Sequence, residues 1–322
     1  MNIIEVKELS RRFKKLTAVD RVSFDVREGE IFGFLGPNGA GKTTTINMLC
    51  TLLRPSGGHA TVNGYDVDTQ TDRVRHSIGL VFQDTTLDQY LTAEQNLLFH
   101  AYAYAVPKET RSRRIKELME MVELWERRKD KILAYSGGMK RRLEIARGLL
   151  HEPRVLFLDE PTLGLDPQTR NKIWEHILGL HKKSHLTIFM TTHYMEEAEN
   201  CDRIAIIDHG RIVALDTPDR LKDSIGGDVI SLKADDNAEA LKEIRERYNI
   251  EPQLKEGVIS FNVAGGEKFL PEFVKGFKCR LQTLGLRRPT LEDVFLKLTG
   301  REIREEAADQ FGMMRRRMMV GH

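Results

Sequence analysis

Nowhere in this sequence do about 18 apolar residues run together, so no segment is expected to cross a bilayer as a helix. The opening stretch MNIIEVKELSRRF meets charge at Glu5 and Lys7 before an apolar core of signal-peptide length can form, and secretion is not expected. Charge of one sign is missing too: 50 Lys and Arg stand against 48 Asp and Glu, a formal net charge of +2. That balance gives no general argument for nucleic acid or an anionic membrane surface as a partner. Cysteine is scarce. Cys50, Cys201 and Cys279 lie far apart with no CxxC pair and no Cys/His cluster, which fits a reducing compartment and packing roles, not a metal site. With 322 residues the chain can bury a proper core. If it works at a membrane, the membrane part must come from elsewhere.

What is present over the first 225 residues is an alternation of short apolar runs with longer helical patterns, the signature of an α/β architecture. Ile31 to Leu35, Ser77 to Phe82, Val155 to Leu158, Thr187 to Thr191 and Ile204 to Asp208 are nearly all apolar. Strands buried on both faces look like this, so a mostly parallel central sheet is expected. Asn63-Gly64, inside GGHATVNGYDV, is a hairpin turn signal and predicts an antiparallel β subdomain. Residues 93 to 150 read as helix throughout and predict a separate helical subdomain. Beyond Ile225-Gly226-Gly227 the pattern becomes strand, helix, strand, helix, strand, and closes on RPTLEDVFLKLTG, where Thr290 is placed to cap a helix with Asp293 as its capping-box partner. The expected organisation is therefore a main domain over 1–225, a small C-terminal α/β unit over 226–300, and a flexible tail over 301–322 containing FGMMRRRMMVGH.

GPNGAGKTT, residues 36–44, follows one apolar run and opens a helical pattern, which is the phosphate-loop motif in the context that confirms it. Its glycines, Gly36, Gly39 and Gly41, let backbone N–H groups turn inward around phosphates. Lys42 neutralises the β and γ oxygens, and the Thr43 hydroxyl is placed to hold Mg²⁺. VLFLDEP, residues 155–161, ends an apolar strand on two carboxylates: Asp159 for the metal and Glu160 as general base for an attacking water. A second acidic residue at this point suits water better than a substrate hydroxyl, so nucleotide hydrolysis is the expected chemistry. A second anion site lies far along the chain. In AYSGGMKRRLEIARGLL, residues 134–150, a Ser-Gly-Gly run opens a helix marked by Met139, Leu143, Ala146 and Leu150, and helix starts of that kind hold anions.

Taken in order, GPNGAGKTT, SGGMKRRLEIARGLL, VLFLDEP, LGLD and TTH closely resemble the nucleotide-binding subunit of an ATP-binding cassette transporter over about residues 1–225. The resemblance implies ATP and Mg²⁺, with the nucleotide on Gly36, Pro37, Asn38, Gly39, Ala40, Gly41, Lys42, Thr43 and Thr44. It implies a homodimer in which Ser136, Gly137 and Gly138 of one subunit bind the γ-phosphate held by the other, which would answer what the second anion site is for. It further implies that Phe13 stacks on adenine beside Val19, and that Gln83 touches Mg²⁺ and the attacking water. His193 would contact the γ-phosphate, and Asp166 would belong to the loop that crosses the dimer.

Where the family has Leu-Ser-Gly-Gly-Gln, this chain carries Tyr135 and Met139 around the same Ser-Gly-Gly. That variant, with the TLEDVFLKLTG ending, resembles the daunorubicin-resistance subfamily. The implied partner is a separately encoded membrane permease that exports a drug or other hydrophobic substrate, with the subunit on the cytoplasmic face of the cell membrane. A soluble cassette ATPase acting on ribosomes or nucleic acid is the alternative. It is weakened by a single cassette and by the short stretch between Gly41 and Ser136.

Overall fold

The computed structural model describes residues 1–300, apart from the side chains at 183 and 184; the Met/Arg-rich tail expected to be flexible lies outside the described residues. The central sheet holds β3 (Ile31–Leu35), β6 (Ile78–Val81), β7 (Val155–Asp159), β8 (Thr187–Thr192), β9 (Arg203–Asp208) and β10 (Arg211–Asp216), in the order β10-β9-β3-β8-β7-β6. It is parallel except for the β9–β10 hairpin. Strand β3 is buried at every residue because it has a core on each side. Phe32 and Phe34 point with Phe157 and Phe189 toward a second sheet, and Ile31 and Leu35 point with Leu158 and Met190 toward the helices. The second sheet is antiparallel: β2 (Leu16–Arg27), β1 (Asn2–Phe13), β4 (Gly57–Val62) and β5 (Tyr65–Asp66), in that order. Phe24 from this sheet stacks on Phe32 with ring centroids 5.5 Å apart. Both turn residues between β4 and β5, Asn63 and Gly64, have positive φ (51° and 76°), as the favoured two-residue hairpin requires.

Helix α1 (Lys42–Leu49) follows β3, and α2 (Thr71–Ser77) leads into β6. The helical subdomain comprises α3 (Ala93–Ala103), α4 (Lys108–Met121) and α5 (Gly137–Gly148), with two short 3-10 turns before α5. The turns break what reads in the sequence as unbroken helix. Helix α6 (Pro167–Ser184) runs between β7 and β8, α7 (Met195–Ala198) follows β8, and α8 (Pro218–Asp223) follows β10. Cys50 and Cys201 are buried and Cys279 is half-buried, and each packs in a hydrophobic cluster, the role expected of them.

The C-terminal unit contains β11 (Asp228–Ala234), α9 (Asn237–Tyr248), β12 (Gln253–Lys255), β13 (Val258–Val263), α10 (Gly266–Gly276), β14 (Leu281–Arg287) and α11 (Leu291–Thr299). Its strands form an antiparallel sheet in the order β12-β13-β11-β14. Ile230, Leu232, Ile244, Ile259, Phe261 and Phe273 form its own core. Strand β12 is absent from the sequence expectation because its three residues, Gln253-Leu254-Lys255, are all exposed and too few to show a strand period. The capping box of Thr290 and Asp293 is present as read.

Helix α11 changes the meaning of the boundary at 225–226. Leu291, Val294 and Phe295 are fully buried, and they join Leu221 and Ile225 in the hydrophobic cluster of the main domain, not the cluster of the C-terminal sheet. Lys297 Nζ donates to the carbonyls of Ser224 (3.1 Å) and Ile225 (3.2 Å), satisfying the open end of α8. The last described helix is thus a piece of the main domain that the chain reaches only after building the small sheet.

Candidate active site

The phosphate loop is shaped by positions that tolerate no side chain. A Cβ at Gly36 would lie 2.3 Å from the Ile207 carbonyl oxygen, and one at Gly41 would lie 2.5 Å from that of Ala18. Gly41 also has φ 105° and serves as the N-cap of α1 without any side-chain cap, so the first N–H groups of that helix remain open for phosphate oxygens. Thr43 is exposed and Thr44 half-buried at this helix start, while Pro37, Asn38 and Gly39 form the outer rim of the loop. Lys42 turns inward. Its Nζ donates to the carbonyls of Gly36 (2.7 Å) and Pro37 (3.1 Å) and lies 3.0 Å from Glu160 Oε1.

Strand β7 delivers both carboxylates. Asp159 Oδ1 accepts the Thr191 hydroxyl at 2.6 Å and the Thr43 hydroxyl at 3.3 Å. Burial pushes its carboxyl up, against those two hydroxyls. Glu160 has a left-handed backbone, φ 45°, held because its N–H is gripped by both the hydroxyl (3.0 Å) and the carbonyl (3.2 Å) of Thr191. Such strain clusters at functional sites. Its side chain lies between Lys42 and His193, whose Nδ1 is 3.3 Å from Oε2. Burial alone would raise the Glu160 carboxyl, but His193 and Lys42 outweigh it and hold it at about 2. A carboxylate depressed in this way stabilises the fold above its unfolded value near 4.5 and loses that contribution as pH falls through about 2. The Tm advantage of the wild type over Glu160→Gln without nucleotide is therefore expected to hold above about pH 5 and to shrink steadily below it; a difference independent of pH from 7 to 2.5 would contradict this assignment.

The structure brings Lys42, Thr43, Asp159, Glu160 and His193 together, and adds Thr191, which sequence reasoning passed over inside TTH. The remaining residues are placed differently. Phe13 ends β1 with 41% of its surface exposed and the Arg11 guanidinium 4.7 Å from its ring centroid. Val19, expected beside the adenine, is fully buried against the phosphate loop, so it props Gly41 from behind and has no open face for a base. Gln83 is exposed, and its backbone carbonyl accepts Arg141 Nη2 at 2.6 Å. The loop that carries it is gripped by α5 through Arg141 and through Glu144, which accepts the Thr86 N–H at 2.8 Å. Asp166 caps α6, accepting the Thr169 N–H at 3.0 Å.

Ser136 and Gly137 are exposed at the start of α5. The Ser136 oxygen accepts the Met139 N–H at 3.3 Å, which leaves its proton free to donate outward. A Cβ at Gly138 would lie 2.3 Å from Thr169 Cγ2, so this glycine is required by the packing of α5 on α6. Tyr135 points inward, with its hydroxyl on the Arg127 carbonyl at 2.9 Å, and Met139 packs against the main core. Both departures from the family motif therefore sit behind the phosphate-facing edge.

A two-sided parallel sheet, a glycine-walled phosphate loop after β3 and a paired aspartate and glutamate at the end of β7, with β8 between the two strands, define a P-loop nucleotide hydrolase with a cassette's extra β and helical subdomains. A model of the ABC transporter family matches residues 19–163. The linearmycin resistance ATP-binding protein LnrL of Bacillus subtilis is 39% identical over 315 residues, covering 94% of this chain and the whole of that protein. The daunorubicin resistance ATP-binding protein DrrA2 of Streptomyces coeruleorubidus is 39% identical over 306 residues, 92% of this chain and 95% of that one. The Nod factor export ATP-binding protein I of Ralstonia nicotianae is 40% identical over 312 residues, 94% of this chain and 95% of that one. Among solved structures, an ATP-binding subunit of an ABC transporter superposes with TM-score 0.63 at 31% identity, over 69% of this chain and 92% of that one. A dimeric cassette in a post-hydrolysis state bound to ADP and Pi gives TM-score 0.61 at 29% identity, over 66% and 98%. The chain belongs to the ATP-binding proteins of ABC transporters, and it is an ABC transporter ATPase.

Proposed function

We propose that this chain powers export of a drug or other hydrophobic compound through a separate membrane permease, working as a two-fold pair on the cytoplasmic face of the membrane. The observation that carries the reading is the buried line Lys42, Glu160, His193 at the phosphate loop, in a chain similar along nearly its whole length to resistance proteins for linearmycin and daunorubicin. Lys42 is held by its own loop and by Glu160. The phosphates of ATP compete for that ammonium. Glu160 is then released to take the proton of a water attacking the γ-phosphorus, while His193 holds a γ-oxygen.

The Thr43 hydroxyl and the Asp159 carboxylate are hard oxygen donors 3.3 Å apart, a pair that fits Mg²⁺, which takes one or two protein oxygens together with phosphates. Bound there, the ion would neutralise charge on the transferred phosphoryl group, and Gln83 would reach the same place from its exposed loop. Ser136, Gly137 and Gly138 then serve the partner's nucleotide, so that two ATP molecules close an isologous interface and hydrolysis loosens it.

No helix among the described residues is long and apolar enough to cross a membrane. Phe99 and Tyr102, one turn apart on α3, are 72% and 63% exposed, and Leu52 after α1 is 52% exposed. Large apolar side chains exposed in this way are suited to contact with a permease loop. Affinity purification of the chain from gently solubilised cells is expected to recover a polytopic membrane protein in stable ratio. Recovery of ribosomes or nucleic acid with no membrane protein would overturn the export reading and leave the ATPase standing.

A further inference from the structure

The carboxylate of Glu197 is 2% exposed and lies inside the main domain, beyond the residues that would touch nucleotide. Its Oε1 accepts the hydroxyl of Thr162, and its Oε2 accepts the hydroxyl of Thr192 at 2.6 Å. Both threonines are also buried, at 0% and 1% exposure. Thr162 stands two residues after Glu160, and Thr192 immediately precedes His193. One side chain thus ties together the two chain segments that carry the proposed base and the proposed phosphate contact. We propose that Glu197 is a positioning residue for ATP hydrolysis, setting the spacing of Glu160 and His193 by bridging Thr162 and Thr192; the proposal rests on the roles assigned to those two residues above.

The chemistry of the bridge calls for a group with two acceptors. The Thr192 oxygen already accepts the Tyr194 N–H at 3.0 Å, which turns its proton toward Glu197. A glutamine offers one acceptor and one donor, so it can accept from only one of the two hydroxyls, and the other threonine must turn its proton away to accept in its turn. A carboxylate buried among hydroxyls is a costly choice for stability alone, and local rules are broken in this way mainly at functional sites. Glu197 lies on α7, the short helix that starts two residues after His193, so it holds the histidine segment from behind. The 3.3 Å separation of His193 Nδ1 and Glu160 Oε2 is the quantity it controls.

The test is steady-state ATP hydrolysis with Mg²⁺ by the full chain, alongside binding of a fluorescent ATP analogue. The variants are Glu197→Gln, Thr192→Val, Thr192→Ser and, as a control on the base itself, Glu160→Gln. Glu197→Gln is expected to lower kcat by about 10-fold to 100-fold, the scale set by an ångström-level misplacement of catalytic groups, with KM and analogue affinity changed less than about twofold. Thr192→Val should fall similarly, and Thr192→Ser should recover most of that loss, because it restores the hydroxyl. Wild-type kcat in Glu197→Gln would overturn the proposal. So would a parallel loss of kcat, analogue affinity and Tm, which would make Glu197 a structural residue only. If Glu197→Gln does not fold, the split between Thr192→Val and Thr192→Ser decides. Normal hydrolysis by Glu160→Gln would instead remove the base assignment itself, a separate failure.

Discussion

Glu160→Gln should slow ATP turnover by about 10²–10⁴-fold while leaving ATP binding as tight as in the wild type or tighter, the range that removing a positioned general base normally covers. Glutamine fills the same space but accepts no proton from water. The asymmetry in binding follows from the contact between Glu160 and Lys42: Glu160 Oε1 is 3.0 Å from Lys42 Nζ, so in the wild type the nucleotide must compete with a buried carboxylate for that ammonium. Neutralising the competitor removes one of the interactions ATP has to displace, while the Gly36 and Pro37 carbonyls still hold Lys42 in place. ATP should therefore remain bound without being consumed, and the subunit should accumulate as a nucleotide-bound dimer on size exclusion in ATP and Mg²⁺. The two readouts are kcat from phosphate release and the dimer fraction with ATP. Turnover within a few-fold of wild type would show that another group activates the water. Lost turnover together with lost ATP binding would show that Glu160 serves the loop and not the chemistry.

How much of this was legible in the sequence depended on whether a residue acts through the local chain or through a distant one. The loop 36–44, the two carboxylates and the Ser-Gly-Gly helix start were readable because each is a short motif whose backbone geometry its own residues impose. The hairpin at Asn63-Gly64 and the capping box at Thr290 were readable for the same reason. Val19 was not: beside Phe13 in sequence space it suggests a second adenine contact, yet β1–β2 pairing turns it into the core beneath Gly41. Thr191, Thr162 and Glu197 gave no local signal, since their work is to bond groups up to 35 positions away. Arg141 and Glu144 lie off the apolar positions Met139, Leu143, Ala146 and Leu150 that mark the helix, yet are 7% and 1% exposed because they grip the loop after β6. The pattern of α11 was visible, but the core that its apolar face serves could not be.

Removing residues 228–322 is expected to destabilise the main domain severely, because it takes away α11. Truncating one buried Phe to Ala costs about 3–5 kcal/mol, against a total stability of about 5–15 kcal/mol for a typical domain. Phe295 is 1% exposed within the main cluster, and the same cut removes Leu291 and Val294 and the Lys297 cap on α8. The chain cut after 227 should therefore unfold at a much lower temperature than the full protein, or fail to accumulate, and lose nucleotide binding as a consequence. Phe295→Ala alone should show the same direction with a smaller drop in Tm.

A second deletion separates α11 from the sheet it follows. The nine residues of α11 span about 13 Å at 1.5 Å per residue, and Lys297 already touches the end of α8, so a short Gly/Ser linker can join 227 to 290. A chain lacking 228–289 but retaining α11 on such a linker should keep the ATP affinity and most of the Tm of the full protein, since the small sheet has its own core. If both deletions were equally stable and bound ATP equally well, α11 would be dispensable, and the main domain would end at 225 as the sequence alone suggests. If both were equally damaged, the small sheet itself would be holding the cassette together.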